Sequence, residues 1–316
     1  MDRANAMETI HSAADAQARA DALRAAGHRL AVVPTMGCLH EGHLSLVREA
    51  RRHADVVWLT IFVNPTQFGP GEDFERYPRT VEADLAACRE AGVDAVFLPP
   101  TEEMYPPGAQ TWVDVSDLSL PLCGRDRPGH FRGVTTVVTK LFLATKPHVA
   151  VFGEKDFQQV AVIRRMARDL HFDVQVIGAP IAREDDGVAR SSRNRLLDAE
   201  TRREARVLSR ALCAVEAAVA SGERRVQALS HLARIELDKA PHGTLDYAEF
   251  RDPETLAPAA DRLTGPTLLA LAMKFQAADG CVRLIDNRVL LDPSRGGAAH
   301  DASHDPHSPV EDRPCS

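Results

Sequence analysis

The sequence predicts an α/β fold: a Rossmann-like parallel sheet with helices on both faces, followed by a smaller α+β domain. Up to about residue 180, continuous apolar runs of strand length alternate with amphipathic helical patterns, as in buried parallel sheets. Beyond that point strand-like runs follow one another without helices between them, which is typical of an antiparallel sheet. The chain has 316 residues, more than one hydrophobic core usually supports. We therefore expect domains at residues 1–181 and 182–292 and a tail at residues 293–316.

The predicted sheet of the first domain is built from apolar runs that end in turn-forming residues. Its strands are expected at residues 30–33, 56–63, 94–98, 149–152 and 173–177. Helices with one apolar face are expected at residues 7–26, 42–53, 80–91, 133–144 and 156–170. Gly27 and Gly92 follow two of these helices, at positions where glycine commonly ends a helix in the left-handed conformation.

The second domain, which we expect to act as a C-terminal lid, is predicted to follow a hinge near residues 181–186. One long helix is expected from Asp198, a good N-cap residue, to about residue 220, and a shorter helix at residues 226–239. The strand-like runs lie at residues 245–250, 268–273 and 281–285. The tail lacks Leu, Ile and Phe, so it cannot bury a core and is expected to be disordered.

The composition excludes several classes of protein. Hydrophobic residues make up 44% of the chain and charged residues 26%, as in globular domains. A net charge of −7 argues against a general nucleic-acid-binding surface. No apolar run reaches the roughly 18 residues of a membrane span, and the N-terminus has no apolar signal core. The six cysteines are scattered without a Cys-x-x-Cys pair. We therefore expect a cytoplasmic protein that binds neither membranes nor nucleic acid.

The most informative stretch is the turn between the first apolar strand and the helix after it. Pro34-Thr-Met-Gly37 turns the chain, and the helix begins near Gly42. His40 and His43 then lie on one face at the helix N-terminus. The N–H groups and dipole of such a terminus favour phosphate binding. Two other interpretations stay open: the histidines cap a surface helix, or they bind a metal, although the His-Glu-x-x-His spacing is absent.

Polar segments follow three of the predicted strands, at residues 34–43, 64–69 and 153–156. In parallel α/β sheets, ligands bind in a crevice outside the carboxyl ends of the strands. We therefore expect these three segments to form one ligand site.

Residues 34–43 read Pro-Thr-Met-Gly-Cys-Leu-His-Glu-Gly-His, which resembles the His-x-Gly-His signature of the nucleotidyltransferase superfamily. In this longer form the segment resembles the pantothenate synthetase family in particular. Further segments that resemble this family occur in the same order, at residues 61–69, 127–134, 152–159, 191–194 and 284–287. The resemblance extends over about residues 8–292.

The resemblance implies an ATP-dependent ligase. The family condenses pantoate with β-alanine through pantoyl adenylate, releasing pyrophosphate and then AMP, so ATP is the implied co-substrate. Mg²⁺ is expected because it neutralises the phosphates of ATP. Asp84 is one candidate ligand for it, and a carboxylate on the helix surface is the alternative interpretation. A homodimer is expected by analogy with the family.

The resemblance also implies roles for individual residues. The catalytic set corresponds to His40, His43, Lys155 and Arg193. Whether His43 donates a proton or only stabilises charge stays open. The implied ATP-binding residues are Pro34, Thr35, Met36, Gly37, His40, Gly42, His43, Gly153, Glu154, Lys155, Asp156, Ala182, Arg190, Ser191, Ser192 and Arg193. The implied residues for pantoate or β-alanine are Met36, Phe62, Asn64, Gln67, Val134, Val137, Val138 and Gln159, although ordinary core packing is an equal alternative for the apolar ones.

Two positions depart from the family pattern. Arg190 stands where the family usually has Met or Leu, which leaves nucleotide affinity and hinge detail open, and Thr66 replaces a usual Met. Two other functions are considered: a His-x-Gly-His transferase that joins AMP or CMP to a phosphate ester, and an adenine-nucleotide sensor without catalysis. The first should have basic residues at the positions of Gln67 and Gln159. The presence of the complete catalytic set argues against the second.

Overall fold

The computed structural model describes residues 7–69, 74–278 and 280–293 of the chain. The chain divides into two compact units. The first consists of Met1–Ala182 and Arg190–Ser192, and the second of Arg183–Ala189 and Arg193–Ser316. The predicted tail, apart from Pro293, lies outside the described residues. No helix within the described ranges is both long and apolar enough to cross a membrane.

The first unit contains a six-stranded sheet in which each neighbouring pair of strands is parallel. The strands are β1 (Glu8–Ile10), β2 (Leu30–Thr35), β3 (Val56–Ile61), β4 (Ala95–Phe97), β5 (Val149–Gly153) and β6 (Gln175–Ala179). Their spatial order is β1-β4-β3-β2-β5-β6, so β2 lies between β3 and β5. The predicted Rossmann-like parallel sheet is confirmed.

Helices flank this sheet and supply its packing. They are α1 (Ala13–Ala25), α2 (Glu41–Arg51), α3 (Val81–Glu90), α4 (Thr101–Met104), α5 (Cys123–Asp126), α6 (His130–Thr145) and α7 (Phe157–Asp169). Single 3₁₀ turns occur at Pro65–Gln67 and Glu154–Asp156. Leu46, Val47 and Ala50 of α2 are buried in the same cluster as residues of β2, β3 and β5. This packing fixes the N-terminus of α2 beside the ends of the central strands.

The predicted helix over residues 7–26 is wrong at its beginning. Glu8–Ile10 form the edge strand β1, which pairs with β4, and the helix starts only at Ala13. Ser12 accepts a hydrogen bond from the N–H of Asp15 and so caps the helix. A three-residue strand is too short to show an alternating pattern, and pairing with β4 outweighs the local helical preference.

The second unit contains a three-stranded antiparallel sheet in the order β7-β8-β9. Its strands are β7 (Gly243–Arg251), β8 (Thr267–Ala277) and β9 (Gly280–Leu290). Its helices are α8 (Ala199–Glu204), α9 (Arg206–Ala220) and α10 (Val226–Leu237), and a 3₁₀ helix at Ser192–Leu196 precedes them. Apolar side chains of α9, α10 and all three strands form one core. The smaller α+β part of the predicted fold is therefore confirmed.

The long helix predicted from Asp198 to about residue 220 is two helices. Asp198 does cap α8, accepting hydrogen bonds from the N–H groups of Glu200 and Thr201. The helix is interrupted at Ala205, whose carbonyl accepts the N–H of Leu208, three residues further on. This tighter hydrogen bond separates α8 from α9, and nothing in the local residue types marks it.

Candidate active site

The loops that follow β2, β3 and β5 leave the same edge of the sheet. Thr35, the last residue of β2, pairs with Ile61, the last residue of β3. On the other side of β2 lies β5, which ends at Gly153. The predicted polar segments 34–43, 64–69 and 153–156 therefore follow three adjacent strands.

His40 and His43 cap the N-terminus of α2 reciprocally. The Nδ1 atom of His40 accepts the N–H of Gly42 at 3.1 Å, and the Nδ1 atom of His43 accepts the N–H of His40 at 3.3 Å. An imidazole whose Nδ1 accepts a hydrogen bond is unprotonated there, so each ring carries its proton on Nε2. The capping interpretation is thus correct as a structural statement. Its chemical consequence is that two N–H donors point away from the backbone.

This arrangement changes how the helix terminus can meet an anion. The N–H groups of Gly42 and His40 are already hydrogen-bonded to the rings, so these two donors are not open to phosphate as the sequence suggested. The Nε2–H groups replace them. Gly42 lacks a side chain because a Cβ there would lie 2.9 Å from the His40 ring. The two ring centroids are 4.1 Å apart.

Burial keeps the His43 ring neutral. Loss of solvent, the neighbouring His40 ring and the Lys155 ammonium together lower the pKa of His43 to about 3, although Asp156 opposes them. In the unfolded chain this imidazole would bind a proton below a pH of about 6.5. The contribution of His43 to the free energy of unfolding therefore decreases as the pH falls below that value. At neutral pH the ring is uncharged and carries one N–H group, on Nε2.

Asp84 holds the turn that leads to the two histidines. Its carboxylate accepts the N–H of Cys38 at 2.9 Å, the N–H of Leu39 at 2.7 Å and the hydroxyl of Thr80 at 3.2 Å. The residue is 3% exposed, so the surface-carboxylate interpretation is wrong. The candidate role as a magnesium ligand is not supported, since the carboxylate is occupied by backbone donors.

The turn needs this support because its backbone is strained. Gly37 and Cys38 both have positive φ angles, +81° and +51°. The left-handed region costs a non-glycine residue on the order of 1–3 kcal/mol. A Cβ at Gly37 would lie 2.9 Å from Asp84 Oδ2, so only glycine admits the carboxylate here.

The loop after β3 carries Gln67 at the end of its 3₁₀ turn. Asn64 donates from Nδ2 to Gln67 Oε1 at 3.1 Å, and Gln67 Nε2 lies 3.1 Å from the sulfur of Met36. Asn64 itself is 1% exposed, with its Oδ1 accepting from Thr66 and its Nδ2 also donating to the carbonyl of Gly133. Asn64 therefore orients the Gln67 amide, with its oxygen toward Asn64 and its nitrogen on the side of Met36.

The two adjacent glutamines of α7 differ in surroundings. Gln158 is buried, and its amide binds the 118–123 segment through the carbonyls of Leu118 and Pro121 and the N–H of Cys123. Gln159 is partly exposed, and its amide has no hydrogen-bond partner among the described residues. The role of Gln158 is not apparent from the sequence, because the motif alone does not distinguish a glutamine that supports a loop from one that is open to a ligand.

Lys155 lies in the 3₁₀ turn directly after β5. Its side chain is mostly buried, and its Nζ is 3.9 Å from Asp156 Oδ2, a loose ion pair. The charges of both residues act on His43, which places the lysine near the capped end of α2. Glu154 packs against Gly178, where a Cβ would lie 2.8 Å from its side chain.

The apolar candidates lie in the core of the first unit. Phe62, Val134, Val137 and Val138 are buried, as ordinary core packing requires, while Met36 is partly exposed and contacts Gln67. Pro34 and Thr35 end β2, and the Thr35 hydroxyl joins the carbonyl of Thr60 to the N–H of Gly37. These contacts connect the core to the turn.

The remaining candidates belong to the segments where the chain passes between units. Arg190, Ser191 and Ser192 are part of the first unit, and Arg193 is part of the second. The N–H of Arg190 donates to the carbonyl of Ala182 at 2.9 Å. A Cβ at Gly42 would lie 3.6 Å from the Cβ of Arg190, so Arg190 is next to the capped end of α2.

Among the described residues, one group of side chains has the composition of a metal site. Glu200, Glu204 and His242 of the second unit have ligand atoms within 4.8 Å of one another. Glu204 already accepts from the backbone and the ring of His242, at 3.0 and 2.7 Å. This contact raises the pKa of His242, and we assign the group to an ion pair that joins α8 to β7.

A parallel sheet with paired histidine donors after its central strand defines the class of the protein, an α/β enzyme of the His-x-Gly-His nucleotidyltransferase type. The family model for pantoate-beta-alanine ligase matches residues 8–289. The chain belongs to the pantoate-beta-alanine ligase family. The resemblance seen in the sequence is thereby confirmed.

Known relatives agree with this family. The pantothenate synthetase of Geobacter sulfurreducens is 52% identical over 284 residues, which is 90% of this chain and 99% of that protein. The crystal structure of pantothenate synthetase from Thermus thermophilus matches with a TM-score of 0.83 and 45% identity, covering 89% of this chain and 99% of the other. The pantoate-beta-alanine ligase of Francisella tularensis, complexed with beta-gamma ATP and beta-alanine, matches with a TM-score of 0.73 and 30% identity, covering 90% and 98%.

Replacing Asp84 with Asn should weaken the hydrogen bonds that hold the turn while keeping a side chain of the same size in place. The new amide N–H would face the N–H groups of Cys38 and Leu39, and hydrogen bonds to a charged group of this kind contribute about 1.5–3 kcal/mol. We expect the free energy of unfolding in urea to fall by about that amount. Glu82→Gln, on the exposed side of the same helix, is the matched control and should change nothing. Equal stability of the two variants would contradict the role of Asp84.

The protonation state of His43 can be measured directly by NMR of ring nitrogens. Between pH 8 and 5 its ring should stay neutral with the proton on Nε2, because burial lowers its pKa to about 3. His242 provides a contrast in the same spectrum, since Glu204 raises its pKa above the ordinary 6.5. A His43→Gln variant assigns the signal. Titration of His43 near pH 6.5 would show that the capped ring is not desolvated.

Proposed function

We propose that this enzyme forms pantothenate in two steps, through a pantoyl-adenylate intermediate. In the first step the carboxylate of pantoate attacks the α-phosphorus of ATP, and the bond to the departing pyrophosphate breaks. In the second step the amine of β-alanine attacks the acyl carbon, the bond from that carbon to the AMP oxygen breaks, and the nitrogen loses one proton to solvent as AMP leaves. The observation that carries this proposal is the pair of Nε2–H donors at the end of the central strand, beside Lys155.

In the first step negative charge grows on the oxygens of the α-phosphate and on pyrophosphate. Neutral His40 and His43 can each donate one hydrogen bond to that charge, in positions fixed before the substrate binds. Lys155 adds a full positive charge. The low pKa of His43 supports a role in charge stabilisation, and adenylyl transfer from ATP to a carboxylate requires no proton from it.

The other candidate residues complete the proposed site. Pro34, Thr35, Met36, Gly37, Gly42 and Gly153–Asp156 would surround the nucleotide, together with Ala182 and the 190–193 segment. Arg193, which belongs to the second unit, would supply a guanidinium. Gln67 and Gln159 would orient pantoate, and Met36, Phe62, Val134, Val137 and Val138 would enclose its methyl groups.

Neutral amides suit the acid that has to react. A bidentate arginine would hold the pantoate carboxylate in a strong ion pair and reduce its nucleophilicity. Gln67 can donate a hydrogen bond while leaving the carboxylate charged. The absence of a basic residue at this position also argues against a phosphate-ester acceptor, which was the alternative substrate class.

Magnesium is proposed as the ion that accompanies ATP. Bound to the β- and γ-phosphates it would neutralise their charge and favour departure of pyrophosphate. Phosphate oxygens and water can supply most of its coordination. We assign it no protein ligand. The cytoplasm is the proposed location, since the reaction consumes ATP and the cysteine pattern is typical of a reducing compartment.

The reaction predicts pantoate-dependent exchange of labelled pyrophosphate into ATP. His43→Ala and Lys155→Ala should each reduce the exchange rate by about 10²–10³-fold, since each removes one donor to developing charge. His53→Ala and Lys239→Ala, which change residues of the same types outside the site, should retain full activity. Exchange that is independent of pantoate, or ADP as the product of the folded enzyme, would refute the proposal.

We also propose that the enzyme is a homodimer, by analogy with its family. Light scattering at micromolar concentration should give twice the chain mass of 34.5 kDa. A mass of one chain under these conditions would contradict the dimer.

A further inference from the structure

Gln67, the proposed ligand of pantoate, lies on a segment that cannot hold its own shape. The segment Pro65–Gln67 is a single 3₁₀ turn, closed by one hydrogen bond from the N–H of Phe68 to the carbonyl of Pro65 at 3.3 Å. An isolated turn of this length has no appreciable stability in water. The direction of the Gln67 amide must therefore be set by contacts with other parts of the first unit.

The backbone carbonyl of Gln67 accepts hydrogen bonds from His130, the first residue of α6, and from Arg127, the residue that ends α5. His130 donates from Nδ1 at 2.8 Å, and Arg127 donates from Nη2 at 3.3 Å. A carbonyl oxygen has two lone pairs, so one oxygen can accept both hydrogen bonds. The two donors lie more than fifty residues from Gln67 in sequence, which makes this a tertiary clamp on the turn.

Arg127 also determines which nitrogen of His130 carries the proton. Its Nη1 lies 3.1 Å from His130 Nε2, and a guanidinium can only donate. His130 Nε2 therefore accepts, and Nδ1 carries the proton that is donated to Gln67. The two hydrogen bonds are therefore donated in one direction only, from Arg127 to His130 and from His130 to the Gln67 carbonyl.

The first turn of α6 presses directly on the same segment. A Cβ at Gly133 would lie 2.4 Å from the carbonyl oxygen of Thr66 and 2.7 Å from the N–H nitrogen of Gln67, so only glycine allows this approach. The carbonyl of Gly133 accepts from Asn64, the residue that orients the Gln67 side chain. The backbone and the side chain of Gln67 are thus both positioned by contacts with the start of α6.

We propose that Arg127 and His130 are positioning residues that set the affinity for the hydroxy acid by holding Gln67. This proposal rests on the function proposed above. Neither residue needs to touch the substrate: they fix the carbonyl end of Gln67, and Asn64 fixes its side chain with the amide N–H side presented. Loss of the clamp lets the amide move, and a hydrogen bond to the carboxylate weakens steeply with misalignment.

The test is a comparison of His130→Ala with His130→Asn in the full-length enzyme. An asparagine amide nitrogen can take the place of Nδ1 and keep the hydrogen bond to the Gln67 carbonyl. We expect His130→Ala to raise the KM for pantoate about tenfold, with the KM for ATP unchanged and kcat within about threefold. His130→Asn should bring the KM for pantoate back to within about threefold of the original value.

A second variant keeps the test decisive if His130→Ala does not fold, as judged by circular dichroism and thermal melting. Arg127→Met removes the other donor and should also raise the KM for pantoate selectively, whereas Arg127→Lys should do so less. Parallel increases of both KM values, no increase in either, or no rescue by asparagine would overturn the proposal. Absence of pantoate-dependent exchange in the unaltered enzyme would instead refute the proposed function, so the two failures are distinct.

Discussion

The reciprocal capping of α2 by His40 and His43 is the interaction on which the candidate site depends. Each ring uses Nδ1 to accept a backbone N–H, which fixes both the tautomer and the direction of the opposite N–H. A helix N-terminus usually offers its backbone donors to an anion. Here those of Gly42 and His40 are used to orient side chains, which reach further from the helix. The chain thus converts a short-range site into a pair of aligned donors.

Preorganisation requires that the loops around this cap do not move, and two of them are held by elements outside them. The turn after β2 is held by Asp84 of α3, through two backbone N–H groups. The loop after β3 is held by the end of α5 and the start of α6, through Arg127, His130 and Gly133. Fixed donors stabilise a developing charge more effectively than mobile ones because they need not reorganise during the reaction. The residues that hold these loops therefore matter as much for the proposed chemistry as the residues that would contact the substrate.

The sequence predicted the sheet and the segments at its carboxyl edge, because long apolar strands and polar turn residues leave clear patterns. It did not reveal β1, since three residues carry no periodicity, nor the break at Ala205, where one hydrogen bond changes the helix. In the sequence, Asp84 cannot be distinguished from a carboxylate on the helix surface. Only the fold shows that it binds the turn. The role of Arg127 and His130 likewise becomes visible only in the fold, because the Gln67 carbonyl that accepts from both is remote in sequence.

The distribution of charge agrees with the proposal that one site serves both ATP and pantoate. A neutral His43 leaves Lys155 as the cation that acts on the capped helix, next to Asp156, which partly offsets it. Too much positive charge would bind the carboxylate of pantoate as tightly as the phosphates and lower its reactivity. Neutral donors do not have this effect, because a hydrogen bond from an amide or imidazole strengthens as charge develops without neutralising the nucleophile beforehand. The low pKa of His43 fits this proposed chemistry, since a protonated ring would pair with the carboxylate before it could react.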